Sequence, residues 1–142
     1  MAGDSHEQPR ASADTPAGGF TTGVTSRTHH ITADEPEGTD AGMTPIEMLL
    51  GSLCACTTIT ARMYAERKGW DVRTIRASAV GKRDRGDVGP LDAIDVLLTI
   101  EGDLDDAQRE RLVDIAGRCP VHRTLSAGTK VRVTDADHSE NS

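Results

Sequence analysis

The residues with the most chemistry to offer are three cysteines, Cys54, Cys56 and Cys119. Cys119 stands where Pro120 interrupts one helical pattern and the run Cys-Pro-Val-His begins another turn. A thiol there lies near free backbone N–H groups at a helix start, which lower a thiol pKa and favour the thiolate. Thiolates, rather than thiols, attack peroxides and disulfides. His122 follows on the same side and is suited to hold or relay a proton. Cys56 shares a helical stripe with Ile46, Leu49, Leu53, Thr60 and Met63. Cys54 is about 200° further round and joins Glu47, Leu50, Thr58 and Ala61 instead. Cys54 and Cys56 therefore do not face one site. A free cysteine taken singly is most often inert core packing, and a lone histidine such as His122 a hydrogen-bonded structural residue. Spacing alone does not pair Cys56 with Cys119.

A zinc site from Cys54, Cys56, Cys119 and His122 is the other chemistry these residue types suggest. A C-x-C pair on a helix splays its thiols, so neither a metal nor another cofactor is expected. His29 and His30 are adjacent strand residues facing opposite sides, read as surface or packing histidines. Composition excludes more. Aromatics make up 2% of the chain and the net charge is -7, poor for stacking on bases and repelled by phosphate, so nucleic acid is set aside. Residues 1–10 show no apolar export signal, and the uncharged stretch 48–61 is too short to span a bilayer. No membrane partner is expected. An odd cysteine count excludes a fully paired disulfide framework and points to a cytoplasmic compartment.

The elements that must position these thiols follow from local pattern. Residues 1–19 read as a disordered lead-in and 135–142 as a polar tail, leaving a single domain over 20–134. Residues 20–33 read as one or two strands closed by a turn at Asp34-Glu35-Pro36. Thr44, Pro45 and Glu47 form a capping box that starts a long helix, and Gly69 stops it after Arg67 and Lys68. Residues 72–82 and 94–100 read as a hairpin, with Ile94, Val96, Leu98 and Ile100 inward. Asp105 with Gln108 caps a second helix whose inner stripe is Leu112, Ile115, Ala116 and Cys119. A short helix over 121–127 ends at Gly128, and 130–134 reads as a last strand with Val131 and Val133 inward. The fold class is α+β. The long helix is apolar nearly all round, and a small domain has little to cover it with, so a homodimer is expected.

Two blocks resemble the OsmC/Ohr family. Ala33-Asp34-Glu35-Pro36 and then Gly42-Met43-Thr44-Pro45-Ile46-Glu47-Met48-Leu49-Leu50, leading to Ala55-Cys56-Thr57, look like the family's central helix. Ile115-Ala116-Gly117-Arg118-Cys119-Pro120-Val121-His122-Arg123-Thr124-Leu125 resembles its second-cysteine segment. The resemblance implies an intertwined α+β homodimer with long central helices back to back and two active sites at the subunit interface. It implies that Cys56 attacks an organic hydroperoxide, becomes a sulfenic acid and closes a disulfide with Cys119, which a small dithiol reopens. Cys54 is an extra. Two departures bear on the substrate. Peroxidase members carry a glutamate directly after the proline, paired with an arginine from the N-terminal strands. Here Ile46 holds that position, Glu47 lies about 100° further round the helix, and the strands offer Arg27. His122 and Arg123 replace small polar residues, and Arg123 is a candidate cation for the Cys56 thiolate. The alternative is a non-catalytic ligand-binding or structural member of the fold.

Overall fold

The computed structural model describes residues 8–137. Those parts of the expected lead-in and tail at residues 1–7 and 138–142 lie outside the described residues. Contacts divide the chain into two compact units, Met1–Gly51 and Ser52–Ser142.

In the first unit, threonine, valine and isoleucine favour the extended chain. Strands β1 (Ser12–Asp14), β2 (Thr22–Ser26) and β3 (His29–Ala33) form an antiparallel sheet in that order. Val24 lies opposite both Ala13 and Ile31. β1 corrects the expectation of a wholly disordered lead-in. Its Ser-Ala-Asp sequence has no strand pattern of its own; the edge of β2 and a 2.9 Å bond between the Ser12 and Thr25 hydroxyls hold it. After β3 the chain turns around Asp34, whose carboxylate is buried. It accepts the Thr21 and Thr39 hydroxyls at 2.8 and 2.7 Å and the Glu35 and Ala41 N–H groups at 2.7 and 3.1 Å. Those bonds, led by Thr39, lower its pKa to about 2. Gly42 passes so close to Thr32 that any Cβ would strike that residue's carbonyl oxygen.

Helix α1 (Pro45–Lys68) starts in this unit with the expected box. The Thr44 N–H donates to Glu47 Oε1 at 2.9 Å, and the Glu47 N–H to Thr44 Oγ1 at 3.1 Å. Gly69, with φ +69°, ends it, and the Trp70 N–H reaches back to the Ala65 carbonyl at 3.0 Å.

In the second unit, β4 (Asp71–Lys82) and β5 (Ala93–Asp103) make the antiparallel hairpin, with Ile75 opposite Ile100. Helix α2 (Asp106–Ala116) carries the full Asp105–Gln108 capping box, and α3 (Pro120–Ala127) follows it. The core joins Ala61 and Ala65 of α1, Ile100 of β5, and Leu112 and Ala116 of α2. Alanine on both helices lets their backbones come close, which suits a chain with so few aromatics. Tyr64 and Trp70 meet edge to face at 5.6 Å, and Arg111 Nε donates to the Tyr64 hydroxyl at 3.1 Å, tying α2 to α1. Arg62 donates to the Val72 and Arg73 carbonyls and Arg109 to the Ile100 and Gly102 carbonyls, fixing both helices to the irregular end of the hairpin.

Two further expectations are corrected. Residues 130–134 form no strand, and Val131 and Val133 are 85% and 92% exposed rather than inward. A strand needs a neighbouring backbone to satisfy its N–H and C=O groups, and none among the described residues pairs with this segment. On α1, the buried line is Leu53, Thr57, Ala61 and Ala65. Cys56 sits beside that line rather than at its centre, and Ile59 and Met63 are 57% and 60% exposed.

Leu112 is wholly buried where α1, α2 and β5 meet. Leu112→Ala should lower unfolding free energy by about 2–5 kcal/mol, through lost transfer energy and a cavity. Val113→Ala, at an exposed position, should cost under about 0.5 kcal/mol. Urea unfolding of the two variants checks the difference.

Candidate active site

The chain leaves α2 through Gly117 and Arg118, and Cys119 becomes the N-cap of α3 with an extended backbone (φ -65°, ψ 152°). Pro120 fits the first helical position, where no N–H is required. Cys119 Sγ then accepts the His122 N–H at 3.3 Å, one of the donors a helix start leaves unpaired. The side chain is 0% exposed. Thus the thiol is the cap, and the expected closeness to free N–H groups is what the structure contains.

Cys56 comes to the same place from α1. The Cys119 sulfur, the Val121 N–H and the Thr60 hydroxyl are the neighbouring groups that act on its thiol. Burial pushes its pKa up, and the neighbouring Cys119 sulfur adds to this; the Val121 N–H and Thr60 hydroxyl pull it down without cancelling the rise. Cys56 is half-buried, so a small solute reaches it and not Cys119. Both sulfurs are free thiols. The first turn of α3 therefore serves both, through Val121 for one and His122 for the other.

The remaining candidates fare differently. The His122 contribution is its backbone N–H; its ring is exposed. Arg123 donates its backbone N–H to the Cys119 carbonyl at 3.0 Å, and its side chain is exposed. The Glu47 carboxylate is occupied in capping α1. Arg27 takes the tight turn between β2 and β3, with φ +54°. Cys54 is half-buried, about 200° round α1 from Cys56. Among the described residues no three His, Cys, Asp or Glu side chains gather as a metal site would need. Sequence reasoning put Thr60 on the Cys56 stripe without giving it a role, and it gave Thr57 none. Thr57 lies on the buried line, with its hydroxyl oxygen 3.9 Å from Cys119 Sγ. The signal was available: a threonine inside a long helix, flanked by buried positions four residues either way.

The OsmC-like protein family model matches residues 38–134, more than half of the chain and both cysteine segments. The chain belongs to the OsmC-like family. Solved structures carry the same fold. An OsmC-like protein from Mycoplasma pneumoniae superposes with a TM-score of 0.76 at 23% identity, over 87% of this chain and 90% of that one. An OsmC-like protein of unknown function from Vibrio cholerae gives 0.66 at 15% identity, over 87% and 96%. The organic hydroperoxide resistance protein OhrB of Bacillus subtilis gives 0.59 at 20% identity, over 88% and 95%. No curated protein matches the sequence. The fold is thus mixed α+β with antiparallel sheets and a long helix, as in these OsmC-like structures. No helix among the described residues is long and apolar enough to cross a membrane.

Alkylation of Cys56 by iodoacetamide, followed by peptide mass against pH, should show a midpoint above the ordinary thiol value of 9.0, since its causes sum to a rise. Cys119→Ala removes an upward influence and should bring the midpoint down. Thr60→Val removes a downward one and should move it up.

Proposed function

We propose that this OsmC-like protein reduces organic hydroperoxides with Cys56 as the attacking sulfur and Cys119 as the closing one. The observation that carries the reading is a half-buried cysteine acted on by a neighbouring cysteine that is wholly buried. The Cys56 thiolate attacks the terminal oxygen of the hydroperoxide. An S–O bond forms as the O–O bond breaks, and the departing alkoxide takes up a proton to become the alcohol. Cys119 then attacks the Cys56 sulfenic acid; an S–S bond forms, the S–O bond breaks, and water leaves. A small dithiol reopens the disulfide by exchange and is itself oxidised. Likeness to hydroperoxide resistance proteins supports the substrate class.

The Val121 N–H and Thr60 hydroxyl do here what a glutamate–arginine pair does in the peroxidase members. They are weaker, and the Cys56 thiol stays above its ordinary range. Turnover should therefore rise with pH through the neutral region as the thiolate fraction grows. That same raised thiol favours the second reading, a non-catalytic ligand-binding protein on this fold. The two part on stoichiometric chemistry. Reduced protein treated with tert-butyl hydroperoxide should lose two hydrogens by intact mass, and Cys56→Ser should abolish the loss. Cys119→Ser should instead leave a sulfenic acid that dimedone traps. An unchanged wild-type mass would favour the binding protein.

We further propose that the working form is a cytoplasmic homodimer. Ile59 and Met63 on α1, Val80 and Leu97 on the hairpin, and Val131 and Val133 beyond α3 are exposed apolar side chains. A second copy of this chain is the natural cover for so much apolar surface. Sedimentation should give a dimer, and Ile59→Glu with Met63→Glu should shift it toward monomer.

A further inference from the structure

Thr57 is the buried polar side chain among the described residues of the second unit, and its companions on α1 are Leu53, Ala61 and Ala65. Valine would fill that place with no polar atom to satisfy. The Thr57 hydroxyl donates to the Leu53 carbonyl at 2.8 Å. A hydroxyl has one proton to give, so across the 3.9 Å to Cys119 it has lone pairs to offer and the Cys119 S–H is the donor. Cys119 Sγ is held from another direction by the His122 N–H. With its hydrogen directed at Thr57 and one lone pair at His122, a remaining lone pair is left for Cys56, whose thiol is its neighbour.

We propose that Thr57 is a positioning residue for disulfide closure: its oxygen takes the Cys119 S–H and so turns a sulfur lone pair toward Cys56. This rests on the reading that the two cysteines close a disulfide. In the closing step the Cys119 lone pair forms the S–S bond, the Cys56 S–O bond breaks, and the proton held against Thr57 leaves with the hydroxide as water. Thr57 neither gains nor loses a proton. It fixes the rotamer of a sulfur that has no room to search for its partner.

Reduced full-length wild type, Thr57→Val and Thr57→Ser are treated with diamide, an azo oxidant that takes up the two hydrogens, and separately with tert-butyl hydroperoxide. The Cys56–Cys119 disulfide is followed by quenching and peptide mass, alongside Cys56 alkylation rate and melting temperature. Thr57→Val should close roughly fivefold to tenfold more slowly, the kinetic equivalent of one lost hydrogen bond, with Cys56 alkylation unchanged. Thr57→Ser should restore the wild-type rate. Closure of Thr57→Val at the wild-type rate overturns the proposal, and so does Thr57→Ser as slow as Thr57→Val, which would assign the effect to the methyl group. Wild type that closes with diamide but not with hydroperoxide overturns the peroxidase reading and leaves the role of Thr57 standing. Wild type that closes with neither overturns both.

Discussion

The site depends on one short stretch of backbone. The first turn of α3 has N–H groups that no earlier carbonyl can satisfy, and both sulfur atoms feel them: Cys119 accepts from His122, and the Val121 N–H draws the Cys56 pKa down. One of those sulfurs is the cap of the helix itself. Pro120 makes this possible, because its ring presets the helical turn and offers no competing donor. The geometry of the thiol pair is thus built into a helix start rather than carried on a flexible loop.

What holds that helix start in place lies further off. α2 delivers Cys119, and α2 is tied to α1 by alanine packing, by Leu112, and by the bond from Arg111 to Tyr64. α1 delivers Cys56 from beside its buried line, which leaves the sulfur half-buried. The two sulfurs differ in access because they sit on elements with different cover: Cys119 in the angle between α2 and α3, Cys56 on the flank of α1. An accessible thiol beside an inaccessible one is the arrangement a two-step dithiol reaction requires. Burial also has an adverse effect, since it raises the Cys56 pKa, and the α3 donors and Thr60 offset part of that.

Much of this was legible in the chain. Both capping boxes, the stops at Gly69 and Gly128, the inward alternation of β5 and the break at Pro120 rest on interactions between residues close in sequence, so pattern alone locates them. The capping role of Cys119 was legible for the same reason. Pairing with Cys56 came from family resemblance, since it joins residues far apart in the chain. β1 escaped notice because its stability comes from the edge it adds to. Val131 and Val133 misled because alternation declares a strand without saying whether a neighbour exists. Thr57 was missed because its meaning depends on what lies across from it. A threonine in a helix interior is unremarkable until a buried sulfur is found 3.9 Å from its oxygen.

The central claim is that Cys56 and Cys119, and not Cys54, form a preassembled dithiol in the reduced protein. Trivalent arsenicals such as phenylarsine oxide bind tightly where two thiols already lie side by side. Titration of the reduced protein should give one tight site per chain, kept in Cys54→Ser and lost in both Cys56→Ser and Cys119→Ser. Absence of tight binding, or its loss in Cys54→Ser alone, would contradict the account.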